Sequence, residues 1–353
     1  MKRILVTGCG GAAAANFVAS LRAADEDFFI VGTDSNKFHL ELADADARYI
    51  LPRALEPTYL EKLNEIIEKE KVEFVHPQPD PEVLFLSRNR EQVKTRLFLP
   101  SKQSIEVCQN KMDLVNHLEG KQIPTAESYS VEDEATLSSN VNKLLANNEK
   151  VWLRAIKGAG SRASLPIKDA THGKVWMDYW KTMKGIGYDQ FMVSEFLPGK
   201  EFAFQSIWKD GKLVTSQARE RMEYLFGYLT PSGQTSSPSI TRTVHRDDVN
   251  DIATKAILSL DESATGVFCV DLKENKDGTP CITEINAGRF FTTSNFFSTA
   301  GSNMPHYYIK MAFGETLPEL SQYNPLEKDL YWIRGMDMGF KLVKGDKLSA
   351  EEL

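Results

Sequence analysis

The chain has 353 residues, 42 % hydrophobic and 26 % charged, with 15 prolines and 22 glycines. That is enough apolar material for two or three packed domains, and it argues against a disordered or collagen-like chain. The net charge of −7, from 42 basic and 49 acidic residues, argues against a dedicated nucleic-acid-binding protein but not against a site for one phosphorylated small molecule.

In chain order, residues 4–7 (Ile-Leu-Val-Thr) read as a buried strand. The apolar stretch Ile4 to Val6 is too short for a signal peptide. Gly8, Gly10 and Gly11 follow, then an Ala-rich helix to about Arg22, and a second strand from Phe29 to Thr33 that ends in Asp34. This glycine turn resembles a dinucleotide fingerprint in which Ala13 takes the third glycine's place. NAD(P) binding and a plain strand-to-helix turn both remain open there. Leu60, Leu63, Ile66 and Ile67 recur at helical spacing within 58–70, and Glu73 to His76 reads as a third strand. The alternation implies a parallel sheet with helices outside it. His76, Asp80 and Glu82 lie at or beyond a strand end, where such sheets bind ligands, so Asp80 and Glu82 are substrate-side candidates together with Gly10. A structural role for His76 competes with that reading.

Residues 109–118 read as a helix with Lys111 in its first turn, and 130–150 as an exposed helix. A strand from Val151 to Ala155 leads into a second glycine loop, Lys157 to Arg162. Glycine loops let backbone N–H groups approach phosphates, and Arg154, Lys157 and Arg162 add charge. A solvated basic loop is the bland alternative. In 194–202 a strand ends in Pro198–Gly199 and resumes at Glu201, which suits either a hinge reading an adenine edge or an ordinary loop. A hairpin over 202–218 turns at Asp210–Gly211, and a helix covers 247–260. Arg219 and Arg221 share one strand face and could bind an anionic substrate group, or pair with Glu220 or Glu223. Trp332, Arg334 and Asp337 suggest a small packed element near the C-terminus.

The most informative segment is 267–285. A two-residue turn at Asp277–Gly278 puts Asp271 directly opposite Glu284, with Asn286 on the same face. Opposed carboxylates are destabilising unless neutralised, and a hard divalent cation beside phosphates would do so. The alternative is a solvated acidic face. Phe268, Val270, Ile282 and Ile285 favour burial.

No apolar run approaches the ~18 residues that cross a membrane. Cys9, Cys108, Cys269 and Cys281 form no CxxC pair, which points to a reduced, cytoplasmic setting. No GxSxG elbow or HExxH motif is present.

The order of these motifs resembles the ATP-grasp superfamily, in particular the group like the carbamoyl-phosphate synthase large subunit. The resemblance covers roughly residues 1–320. It implies an α/β chain: a Rossmann-like pre-ATP-grasp domain at 1–105, then a two-lobed α+β ATP-grasp fold with a small lobe at 106–190 and a large lobe at 191–320. A C-terminal segment would fill 321–353. The resemblance implies ATP and Mg²⁺, or Mn²⁺, as cofactors. Asp271, Glu284 and Asn286 would hold the metal. Lys111, Arg154, Lys157, Gly158, Gly160 and Ser161 would face the phosphates. Glu195 and Leu197 match the adenine hinge, Glu201 the ribose acid, and Arg242 a further phosphate-side cation.

Arg289 is similar to the arginine that stabilises an acyl phosphate, and it joins Arg154 as a catalytic candidate. The family's Glu-Ile-Asn-Pro-Arg reads Glu284–Ile285–Asn286–Ala287–Gly288–Arg289 here, with one extra residue. The chain shows neither duplicated halves nor a glutaminase motif, so a complete carbamoyl-phosphate synthase is not implied. The implied reaction activates a carboxylate or bicarbonate-like substrate as an acyl phosphate and joins it to an amine or other nucleophile, releasing ADP and phosphate. Its partners would be small molecules, not nucleic acid or membrane, with a homodimer as the generic assembly. An NAD(P)-dependent oxidoreductase and a non-catalytic ATP sensor are the rival readings.

Overall fold

The computed structural model describes residues 1–158, 163–336 and 340–347. Strands β1 (Lys2–Val6), β2 (Phe28–Asp34), β3 (Ala47–Ile50) and β4 (Phe74–His76) form an all-parallel sheet in the order β3-β2-β1-β4. Alternation along β1 explains the layers, since Ile4 and Val6 enter one core and Leu5 the other. Phe17, Val18 and Leu21 of helix α1 (Ala12–Arg22) cover the first face. Helix α2 (Lys37–Leu40) is short, and helix α3 (Tyr59–Glu70) covers the second face through Leu63 and Ile67. Helix α4 (Asp80–Arg88) starts just beyond β4. The sequence reading had no strand at 47–50, because β3 alternates half-buried and exposed positions on a sheet edge.

Helices α5 (Lys102–Cys108) and α6 (Lys111–Gly120) lead into the small lobe. Its strands β5 (Ser128–Val131), β6 (Val151–Ala155), β7 (Leu165–Ile167) and β8 (Phe191–Glu195) form an antiparallel sheet in the order β5-β8-β6-β7. Helices α7 (Glu134–Leu145) and α8 (Ala170–Lys184) pack on it. The single helix expected over 130–150 is instead the end of β5 followed by α7. Asp133 starts α7 with a capping box, and Leu137, Val141 and Leu144 are buried. Because β8 pairs with both β5 and β6, this lobe extends past residue 190 to Glu195.

The large lobe is a seven-stranded antiparallel sheet of β9 (Glu201–Lys209), β10 (Lys212–Tyr224), β11 (Pro238–Thr243), β12 (Gly266–Glu274), β13 (Pro280–Ala287), β14 (Leu330–Arg334) and β15 (Phe340–Lys344), in the order β13-β12-β9-β10-β11-β14-β15. Helix α9 (Asp247–Leu260) packs its Val249, Ala253 and Ile257 with Phe202, Phe204, Phe268 and Val270 on one face. On the other, Ala203, Ile207 and Cys269 share a core with α1, α10 (Ser294–Thr299) and α11 (Met304–Ala312). The N-terminal domain and large lobe are thus welded by common apolar packing. The segment from 321 is no separate unit among the described residues. Thr215 and Ser216 donate to the carbonyls of Ser321 and Gln322, and β14 and β15 extend the large sheet. Trp332 is buried there; Asp337 lies outside the described residues.

The first hairpin turns at Asp210–Gly211, both at positive φ, with Lys209 opposite Lys212. The second differs from its expected turn. Asn275 N–H donates to Thr279 O, so three residues, 276–278, make the loop. This one-residue change shifts the register, and a bulge at Thr283 shifts it back. Leu272 pairs with Ile282, while Asp271 pairs with Glu284.

The two turns yield a differential prediction. Gly278 (φ +81°) has open space around an added Cβ, whereas a Cβ on Gly211 (φ +76°) would sit 2.2 Å from the Glu262 carbonyl oxygen. Gly278→Ala should cost about 1–2 kcal/mol. Gly211→Ala should cost clearly more, and urea midpoints showing the reverse order would contradict the turn geometry.

Candidate active site

A cleft of about 590 Å³ opens where the three parts meet. It draws Gln78 and Asp80 from the N-terminal domain, Lys111, Arg154 and Glu195 from the small lobe, and Glu201, Arg221, Asp271, Glu284, Asn286 and Arg289 from the large lobe.

The floor is the β12–β13 hairpin. Asp271 is opposite Glu284, and Cys269 opposite Asn286, so both carboxylates and the amide share one sheet face. Arg221 on β10 donates from Nη2 to Asp271 Oδ1 at 2.7 Å and from Nη1 to Glu201 Oε1 at 3.4 Å. The anticipated pairing of Arg221 with Glu220 or Glu223 does not occur. Asn286 Nδ2 lies 3.5 Å from Asp271 Oδ2, and Asn286 Oδ1 accepts from Arg289. Burial and the neighbouring Glu284 push the Asp271 carboxyl up to about 6 in spite of Arg221. Two opposed carboxylates, one with its pKa raised, and an amide oxygen are hard donors that fit a divalent cation such as Mg²⁺. Two carboxylates and one amide leave the remaining coordination to phosphate or water oxygens. No cluster of three or more His, Cys, Asp or Glu suited to a metal occurs among the described residues.

The small lobe supplies cations. Asn110 caps α6, which fixes Lys111 in the first turn, and its Nζ donates to the Gly158 carbonyl at 2.9 Å. Arg154 Nη1 donates to the Thr283 carbonyl at 3.2 Å, so the hairpin bulge ties the lobes together. Burial lowers the Arg154 pKa and Glu284 opposes that shift. Gly158 lines the cleft but the exposed Lys157 does not. Gly160 and Ser161 lie outside the described residues. At the hinge, Glu195 Oε1 accepts from Glu127 N–H at 3.1 Å. The backbone of Leu197 pairs with no other backbone group among the described residues. Trp152 and Phe196, 6.2 Å apart, also border this end. Glu201 accepts from Tyr224, Arg221 and Gln234.

Other candidates are placed differently. Arg242 was expected beside the phosphates. Its register partner is Glu220, which puts it on the opposite face of the sheet from Arg221, paired with Glu220 and Asp329. Glu82 was expected to face substrate. It turns inward and accepts from Tyr59 Oη at 2.9 Å, while Asp80 faces the cleft and holds Arg289. Gly10 does not line the cleft, since a Cβ there would meet His39 O at 2.2 Å. Its N–H donates to Asp34, which also accepts from Asn36 N–H. Arg219 is fully buried behind the cleft wall. His76 is structural: it stacks on Phe17 at 4.0 Å, bonds Gln78, and burial lowers its pKa to about 4.

Sequence reasoning missed Gln78, Tyr224, and the strap Gln234 to Ser236, all of which border the cleft. Gln78 was within reach, in the same loop as Asp80. Its Nε2 donates to Phe290 O, joining the N-terminal domain to the large lobe.

The family model described as "ATP-grasp domain" matches residues 108–293, more than half the chain. The chain belongs to the ATP-grasp family. It is an ATP-grasp ligase, a class of enzyme that uses ATP. A second model, "PylC-like, N-terminal domain", matches residues 4–97. No curated protein sequence matches the chain. Among solved structures, the biotin carboxylase domain of Hydrogenobacter thermophilus 2-oxoglutarate carboxylase superposes with a TM-score of 0.71 at 15 % identity, over 94 % of this chain and 73 % of that one. Carboxyaminoimidazole ribonucleotide synthase from Aspergillus clavatus gives 0.71 at 16 %, over 94 % and 81 %. L-amino acid ligase from Bacillus licheniformis gives 0.70 at 13 %, over 94 % and 79 %. At these identities the likeness is one of fold. No described helix is long and apolar enough to cross a membrane.

Burial raises the Glu82 carboxyl to about 7, above the ~4.3 of an unfolded chain. The folded state therefore keeps a proton that the unfolded state has lost, so this group's contribution falls as pH rises from about 4.3 to 7. Glu82→Gln should gain stability relative to the parent at pH 8 compared with pH 5. An unchanged difference between urea midpoints at the two pH values would contradict this.

Proposed function

We propose that this ATP-grasp enzyme activates a small carboxylate as an acyl phosphate in the cleft and transfers the acyl group to an amine, releasing ADP and phosphate. The supporting observation is the convergence on one cleft of small-lobe cations and the opposed Asp271–Glu284 pair. Attack of a carboxylate on the γ-phosphate brings two anions together, so charge must be neutralised. Lys111 and Arg154 would draw the phosphates toward the floor. Asp271, Glu284 and Asn286 would hold Mg²⁺, which supplies charge neutralisation on the phosphate oxygens. Arg289, oriented by Asp80 and Asn286, would face the activated carboxylate. Glu195 and Leu197 would border the adenine, with Glu201 near the ribose. The loop 157–163, of which 159–162 lie outside the described residues, would cover the phosphates and exclude water. No protein nucleophile is required.

The substrates would be small molecules rather than nucleic acid or membrane, and the enzyme would work as a homodimer in the cytoplasm. The four cysteines are free and buried, which suits a reducing compartment. The Asp34 carboxylate, where an NAD(P) enzyme would bind ribose, is engaged by the backbone N–H groups of Gly10 and Asn36.

ADP release measured over a panel of carboxylates and amines tests this reading. Asp271→Asn and Glu284→Gln should each lower turnover at least about a hundredfold while the far-UV circular dichroism stays that of the parent. Full activity in either variant, or no ADP release by the parent with any pair, would overturn it.

A further inference from the structure

Behind the cleft wall, next to Arg221, lies a guanidinium with no ion pair among the described residues. Arg219 is fully buried, and none of Nε, Nη1 and Nη2 has a hydrogen-bond partner among the described residues. Two aromatic faces flank it, with Cζ 4.7 Å from the Phe291 ring and 5.3 Å from that of Phe297. Burial, with repulsion from Arg221, pushes its pKa down to about 9 although Asp271 opposes the shift, so it remains charged at neutral pH. A buried charge with no ion pair or hydrogen bond of its own is unfavourable, and aromatic faces offset only a fraction of that cost.

The surroundings are unsatisfied in the same sense. Arg219 and Arg221 share a face of β10, Thr241 on β11 is opposite Arg221, and Trp332 on β14 is opposite Thr241. Two residues further along that register, Arg334 falls across from Ser239. Arg334 donates to Pro238 O and Thr292 O but has an unpaired Nη2. The hydroxyls of Ser239, Thr241 and Thr293 are buried and unpaired as well. Among these orphans, the two guanidinium groups can only donate, and the three hydroxyls are free to. What they lack is an acceptor with negative charge. Arg219 stacks on Phe291 and Arg334 bonds the carbonyl of Thr292, and both Phe291 and Thr292 line the cleft.

We infer that, on the ligase reading above, the substrate seated at the large-lobe end of the cleft carries an anionic oxygen group, a carboxylate or a phosphate, that docks on Arg219 and Arg334 behind Phe291. The acceptor would then be an amine bearing such a group, or the donor would bear one besides the carboxyl that is activated. Arg219 is a binding residue in this account and takes no part in proton or phosphoryl transfer.

Thermal-shift titrations of the full chain, without nucleotide, test this. The probes are ethylamine, glycine, acetate, 2-aminoethyl phosphate and inorganic phosphate, on the parent, Arg219→Met and Arg219→Lys. Glycine and acetate, or the two phosphates, should raise the parent's Tm saturably, and which pair does so identifies the anion. Ethylamine should not. Arg219→Met should leave the free protein's Tm unchanged or higher, and should weaken the anion response roughly ten- to a hundredfold, with Arg219→Lys in between. Protection by ethylamine equal to that by the anions, no protection by any anion, or an undiminished response in Arg219→Met with a lowered Tm would overturn the inference. Because nucleotide is left out, a failure of the ligase reading shows separately, as a lack of protection by ADP with Mg²⁺.

Discussion

The arrangement turns on two carboxylates, Asp271 and Glu284, placed directly opposite each other on adjacent strands in a largely buried sheet face. Such a pair is unfavourable unless cations surround it. Arg221 reaches it from β10 of the same sheet, Arg154 approaches from the small lobe, and Arg289 reaches Asn286 beside it. Each contact also does mechanical work, since Arg154 ties the small lobe to the hairpin and Arg289 ties the hairpin to Asp80 of the N-terminal domain. The charge problem at the floor of the cleft and the assembly of the cleft from three parts are therefore one problem.

The scaffold keeps that floor in place by ordinary means. Alternation on the large sheet sends Phe202, Phe204, Phe268 and Val270 into one core, which leaves Glu201, Arg221, Asp271 and Lys273 on the other face. Continuity of the core from α1 through Phe290 to Tyr308, with the Gln78 bond to the Phe290 carbonyl, holds the N-terminal domain against the large lobe. The small-lobe sheet has its own core, while Leu114, Leu118 and Ile123 pack with Ile282 and Ile285 of the floor and Arg154 adds a polar tie.

Much of this was legible in the sequence. The strand-and-helix rhythm gave the parallel N-terminal sheet. The Asp271–Glu284 opposition followed from hairpin parity, yet by two compensating departures: a loop one residue longer than expected, and the bulge at Thr283 that restores the register. A bulge leaves no local mark, since Thr283 is an ordinary strand residue. Arg242 shows the reverse limit. Its face depends on the pairing of β10 with β11, which runs through bulges after Arg221, and no local pattern reports that parity. Asp80 and Glu82 could not be told apart by residue type, because helix phase turns one to the cleft and the other to Tyr59. The small lobe's extent was misjudged at residue 190, since a strand's partners are not encoded beside it.

The central claim is that the opposed carboxylates form a cation site that works together with nucleotide phosphates. Isothermal titration of ADP into the protein, in Mg²⁺ and in EDTA, tests it most directly. The account predicts that Mg²⁺ tightens ADP binding to the parent and has no such effect on Asp271→Asn. Equal ADP affinity of the parent in Mg²⁺ and EDTA would contradict it.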